Sequence, residues 1–126
     1  MTLKSSTQLE NLAEQLSQNQ SLSKDTAKNL DSNVSFEVFN KKGEKEFWRL
    51  NAKKGEKVIL KKASGDADEA DIRIRIDDLN LRKLIRGKQS AQRLFMTGKL
   101  KIKGNVMKAA YIEKLLKFAG PQGSKL

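Results

Sequence analysis

The sequence predicts an α+β domain in which about five helices cover one face of a five-stranded, mostly antiparallel sheet. Three observations predict it. The apolar period is three to four residues before residue 30, two from Val34 to Ile76, and mostly helical again after Asp77. Glycine-containing turns separate the alternating runs, and a chain of 126 residues suits one domain in which both patterns share a core.

Taken in order, Leu9, Leu12, Ala13 and Leu16 recur at i, i+3, i+4 and i+7, and Thr7 with Glu10 has the form of a capping box, so a first helix starts near Thr7. A second, from Lys24 to Leu30, is expected with Ser23 as its cap and Leu22, Ala27 and Leu30 facing inward. Val34, Phe36 and Val38 then mark a half-buried strand, followed by strands at Phe47 to Asn51 and Val58 to Lys61. Lys-Lys-Gly-Glu-Lys occurs at 41–45 and again at 53–57, and Gly43 and Gly55 are placed to supply left-handed turn residues. Ile72, Ile74 and Ile76 form the inward face of a fourth strand. Asp77 caps a third helix with Leu79, Leu81, Leu84 and Ile85 on its apolar face, ended by Gly87. A fourth helix runs from Ser90 to Met96. Lys99 to Lys103 alternates strictly, with Leu100 and Ile102 inward, and Asn105 caps a last helix from Val106 to Phe118. In that helix Val106, Ala109, Ala110, Leu116 and part of Met107 and Leu115 are expected to face the sheet. Gly120-Pro121 breaks it, so the domain is read as residues 1–119 and a tail as 120–126.

Composition excludes several kinds of chemistry. There is no His and no Cys, so imidazole bases, thiolate nucleophiles, disulfides and the usual zinc and haem ligands are absent. No cofactor or metal is expected. No apolar run approaches bilayer length and the N-terminus lacks a basic-then-apolar leader pattern, so a soluble protein is expected. The net charge of +11 is uneven: from residue 81 onward Glu113 is the sole acid. Such a field suits anionic partners, with a nucleic-acid-binding module as the competing reading and a carboxylate or Lys hydrolase as a third. Against nucleic acid, only seven residues are aromatic, most of them at inward positions, and no recognition helix or stacking signature is present.

Asp66, Asp68, Glu69 and Asp71 resemble a calcium loop in spacing, but Asp71 stands where the bending Gly belongs and Asp77 where the bidentate Glu belongs, so a solvated loop is expected. Gly98 and Gly104 do not make a phosphate loop, because no Lys-Ser or Lys-Thr follows and the residues between them alternate. Ser124-Lys125-Leu126 has the form of a peroxisomal import address, displayed after Gly-Pro-Gln-Gly, which implies an import receptor as partner and the peroxisomal matrix as location.

Three blocks carry a family resemblance: Ala70-Asp71-Ile72-Arg73-Ile74, Leu84-Ile85-Arg86-Gly87-Lys88, and Phe95-Met96-Thr97-Gly98-Lys99-Leu100-Lys101-Ile102-Lys103-Gly104-Asn105. Their order and spacing resemble the type-two sterol carrier protein lipid-transfer domain, in its free-standing peroxisomal form. The resemblance implies an apolar tunnel between sheet and helices, no catalytic activity, and fatty acids, fatty acyl-CoA and, in some members, sterols as ligands. It carries ligand contact to Phe95 and Met107. Thr97 stands where family members often have Gln, and Ala109 and Ala110 where others are polar, which should widen the cavity. The candidate tunnel residues are Phe36, Val38, Phe95, Leu100, Ile102, Met107, Ala110 and Leu115. Lys99, Lys101 and Lys103 are the candidates for an anionic head group. The last helix is the expected gate. A monomer is expected, with transient contact to anionic membranes and none to nucleic acid.

Overall fold

A computed structural model describes residues 3–65 and 70–120. Two helices, α1 (Ser6–Gln18) and α2 (Gln20–Leu30), precede strands β1 (Ser32–Phe39), β2 (Lys45–Ala52), β3 (Ile59–Ala63) and β4 (Ile72–Asp77). Then come α3 (Asp78–Ile85), α4 (Ala91–Met96), β5 (Leu100–Lys103) and α5 (Val106–Leu116), which tightens into a 3₁₀ turn at Lys117–Ala119. This is the predicted α+β domain of five helices and five strands. No helix among the described residues is long and apolar enough to cross a membrane.

The strand order is β3-β2-β1-β4-β5. Three of the four pairings are antiparallel, and β1 with β4 is parallel, Phe36 lying opposite Ile74. The parallel pair follows from the chain's course: β2 and β3 extend the sheet on one side of β1, and the chain then crosses to its other side. Alternation sends Val34, Phe36, Val38, Trp48, Leu50, Leu60, Ile72, Ile74, Ile76 and Leu100 into one core beneath the helices. Glu46 is buried on the same face, where Oε2 accepts from the Leu3 N–H at 3.0 Å and pairs with Lys62 Nζ at 3.0 Å.

Local chemistry explains the ends. Asp77, Ser90 and Asn105 cap α3, α4 and α5 through their side chains, as expected. Gly43 and Gly55 hold φ of +83° and +81° in the two lysine-rich turns. Two expected caps are corrected. The Thr7–Glu10 box is not the start of α1, which begins at Ser6; the Asp78 carboxylate, distant in sequence, instead accepts the Ser5 N–H at 2.8 Å. Helix α2 starts four residues early because Asn19 Oδ1 accepts from the Leu22 N–H, leaving Ser23 inside the helix with its hydroxyl on the Leu16 carbonyl.

Two inward faces are corrected as well. Leu79 is exposed, since α3 buries Asp78, Leu81, Leu84 and Ile85, and residues two apart do not share a helix face. Helix α5 buries Ala109, Ile112, Leu115 and Leu116, which turns Val106, Met107 and Ala110 to solvent. Of the acidic stretch, Asp66, Asp68 and Glu69 lie outside the described residues, and Asp71 accepts the Asn33 N–H at 2.9 Å. The described residues contain no group of acids able to hold a metal ion.

Candidate functional site

Between the sheet and helices α3 to α5 lies a pocket with apolar walls. Phe36 of β1, Ile74 and Ile76 of β4, and Leu100 and Ile102 of β5 form its floor. Leu81 and Leu84 of α3, Ala91 before the exposed end of α4, and Ala109, Ile112 and Leu116 of α5 form its roof. Glu113 is its one charged lining residue among the described residues. The free space is about 20 Å³, room for a single water, whereas ligand pockets hold on the order of 300–1,000 Å³. The structure therefore presents the site closed. A lipid chain can enter only if a wall moves.

Helix α5, part of the roof, is held unevenly along its length. Its C-terminal end is tied to α1, because Gln15 Nε2 donates to the Phe118 carbonyl at 2.6 Å and Asn11 Nδ2 to that of Ala119 at 3.5 Å. At mid-helix Tyr111 Oη donates to Asp25 Oδ2 at 2.7 Å and lies 3.3 Å from Thr26 Oγ1, which fastens α5 to α2. Among the described residues, the side-chain hydrogen bond from the first turn to another element is that of Lys108 Nζ to Ser32 Oγ at 3.4 Å, and Val106 and Met107 stand in solvent.

Burial pushes the Tyr111 phenol up to about 12, with the Asp25 carboxylate adding to the shift and the Thr26 hydrogen bond opposing it. The folded phenol thus keeps its proton where the unfolded one, near its ordinary 10, gives it up. Stability falls as pH rises through that window. Tyr111→Phe should abolish this component, so the stability difference between wild type and variant, read by urea unfolding, should shrink from about pH 8 to about pH 11.

The sequence-predicted residues separate into groups. Phe36, Leu100 and Ile102 line the pocket, while Val38 and Leu115 are buried in the surrounding core. Phe95, Met107 and Ala110 are exposed outside the closed pocket. The alternation that turns Leu100 and Ile102 inward turns Lys101 and Lys103 to the opposite, helix-free face, where they lie beside Arg75 and Arg73. Lys99 and Lys101 also border an open groove of about 830 Å³ with Lys41, Lys42 and Lys83. Ser124, Lys125 and Leu126 lie outside the described residues. Of the residues around the pocket, Ile74, Ile76, Leu81, Leu84, Ala109 and Leu116 are expected from the sequence only as core positions, and Ala91, Ile112 and Glu113 are not singled out by it; the signal for Ile112 is the 3, 4 spacing of Ala109, Ile112 and Leu116.

A sheet covered by helices on one face, with an apolar pocket between the two layers, is an architecture suited to an apolar ligand. The comparisons give this class its family. Residues 9–117 match the SCP-2 sterol transfer family, and the chain belongs to it. A fatty acid-binding protein of Yarrowia lipolytica is 45% identical over 95 residues, 75% of this chain and 73% of that protein. The oleate-induced peroxisomal protein POX18 of Candida maltosa is 35% identical over 102 residues, 81% and 79% of the two chains. The apo form of sterol carrier protein 2 from Yarrowia lipolytica superposes with a TM-score of 0.76 at 35% identity, covering 93% of this chain and 96% of that one.

Proposed function

We propose that this protein is a non-enzymatic carrier of fatty acids and fatty acyl-CoA, acting as a monomer in the peroxisomal matrix. The observation that carries it is the apolar pocket sealed by α5, a helix whose first turn is weakly held. Burying a sixteen-carbon chain is worth roughly 0.8 kcal/mol per methylene, about 12 kcal/mol before ordering and opening costs. Glu113 repels an anionic head, so the chain enters with its methyl end toward α5 and its head outward. The names of the Yarrowia and Candida relatives support the fatty ligand and the peroxisome. Ser124-Lys125-Leu126 supplies the form of an import address for the receptor.

The basic groove is the head-group site in this reading. Ile76 and Leu100 look into the pocket, while the adjoining Asp77, Lys99 and Lys101 border the groove, so one β4–β5 segment separates the two spaces. Phosphates of a CoA head would meet Lys41, Lys42, Lys83, Lys99 and Lys101 there.

Native mass spectrometry of delipidated protein should show one equivalent of palmitate or palmitoyl-CoA, with sterol compared alongside. Buried Trp48, paired in register with Phe36, should change its fluorescence saturably over the same titration. Lys41→Glu, Lys42→Glu, Lys83→Glu should weaken palmitoyl-CoA about tenfold or more relative to palmitate. Absence of any lipid adduct would refute the carrier reading; equal loss for both ligands would remove the head-group role of the groove.

A further inference from the structure

We propose that the β5 edge of the molecule is a docking surface for anionic phospholipid bilayers, an inference that rests on the carrier reading and assigns it a membrane-facing side. Strand β5 is an edge of the sheet. Six large apolar side chains are exposed among the described residues, and four of them sit at its two ends: Phe95 and Met96 just before it, Val106 and Met107 just after. Met96 is 75% exposed and Met107 86%. Between these pairs lie Lys99, Lys101 and Lys103, all exposed and without an ion-pair partner among the described residues.

The positive strip continues onto the helix-free face of the sheet. Lys103 lies opposite Arg73 and Lys101 opposite Arg75, and farther across the sheet Arg49 lies opposite Lys61. Among the described acids on that side, Glu37 is occupied by Arg75 at 2.9 Å and Lys45 at 3.6 Å, Asp71 accepts the Asn33 N–H and Asp77 caps α3. Cations flanked by exposed apolar side chains match an interface that has phosphates above and acyl chains below. A polyanion such as nucleic acid would use the lysines and leave the methionines without a role.

The placement also fits cargo exchange. Leu100 and Ile102, on the inward face of the same strand, line the pocket, and the weakly held first turn of α5 follows immediately. Docking through β5 brings the pocket wall and the loose end of its gate to the lipid surface together.

Because the chain has no cysteine, a single one can be labelled uniquely. An environment-sensitive dye at Met107→Cys should shift to the blue on phosphatidylcholine–phosphatidylserine vesicles and be quenched by brominated acyl chains, while the same dye at Ser17→Cys should do neither. Lys99→Glu, Lys101→Glu, Lys103→Glu should weaken vesicle binding at least about a hundredfold, at roughly fivefold per lysine, whereas Lys24→Glu, Lys28→Glu, Lys57→Glu, with the same change in net charge, should cost less than about tenfold. Met96→Ser, Val106→Ser should weaken vesicle binding and leave any binding to duplex DNA unchanged. Vesicle binding without quenching at position 107 would overturn the proposal, as would equal losses in the two charge variants or an apolar variant that binds vesicles like wild type. Wild-type protein that binds palmitate in solution but no vesicles would overturn docking and leave the carrier reading standing; failure to bind palmitate would strike the carrier reading itself.

Discussion

Gly104→Ala should lower the melting temperature by about 10 °C or more, corresponding to roughly 3–5 kcal/mol. A Cβ at this position would stand 2.2 Å from the Asp71 carbonyl oxygen and 3.2 Å from Ile72 Cα, and both of those atoms are backbone. No rotamer change relieves such a clash; the start of β4 and the turn from β5 into α5 have to move apart. The backbone φ of +105° adds strain for any L side chain. Gly43→Ala is the control. Its φ is +83° but nothing lies within 4 Å of the new methyl, so it should cost only about 1–2 kcal/mol. Thermal unfolding of the two variants side by side separates the conformational cost from the clash, and similar losses would show that the close approach to Asp71 carries no energy.

Ile102→Asp should reduce palmitate affinity by about a hundredfold or more and leave the protein folded. Ile102 lines the pocket from an edge strand and is only partly buried, so an empty variant can turn a carboxylate to water at small expense. A bound acyl chain would cover it. Covering an ionised group with no partner costs several kcal/mol, so the cargo is excluded or the group must take up a proton. Calorimetric titration checks the affinity and circular dichroism the fold. Near-normal binding with an intact fold would mean that the chain does not pass Ile102.

Much of this architecture was legible because short-range chemistry determines it. The caps at Asp77, Ser90 and Asn105 use side chains three residues from the amides they satisfy, and alternation from Val34 to Val38 already says which face is buried. The misplaced start of α1 had a different cause. The Ser5 amide is taken by Asp78, 73 residues away, and no local pattern reports such a partner. The parallel pairing of β1 with β4 was likewise invisible, since period-two sequences read alike in either orientation.

The site was less legible than the fold. Phe36, Leu100 and Ile102 line the pocket, and strand alternation is what makes their inward direction legible. On α5 the sequence points partly to Val106 and Ala110, whereas the packed set is Ala109, Ile112, Leu115 and Leu116. A helix with apolar residues on nearly every side, as at 106–112, leaves its rotation to tertiary contacts. Alternation also implied that the lysines of β5 lie opposite Leu100 and Ile102, but only the sheet order shows that they occupy an edge flanked by exposed apolar side chains.

The nearly full packing of the empty pocket also governs how the protein lets go of cargo. With about 20 Å³ free, the pocket has no room for an acyl chain as it stands, so in the carrier reading binding draws on a conformation in which a wall has moved. Apparent affinity then equals intrinsic affinity multiplied by the open fraction, so an open population of about one per cent weakens binding about a hundredfold. Each delivery ends with the protein returning to a state in which no apolar cavity faces water. Occupancy consequently follows the local supply of lipid, filling where fatty chains are abundant and emptying where they are consumed.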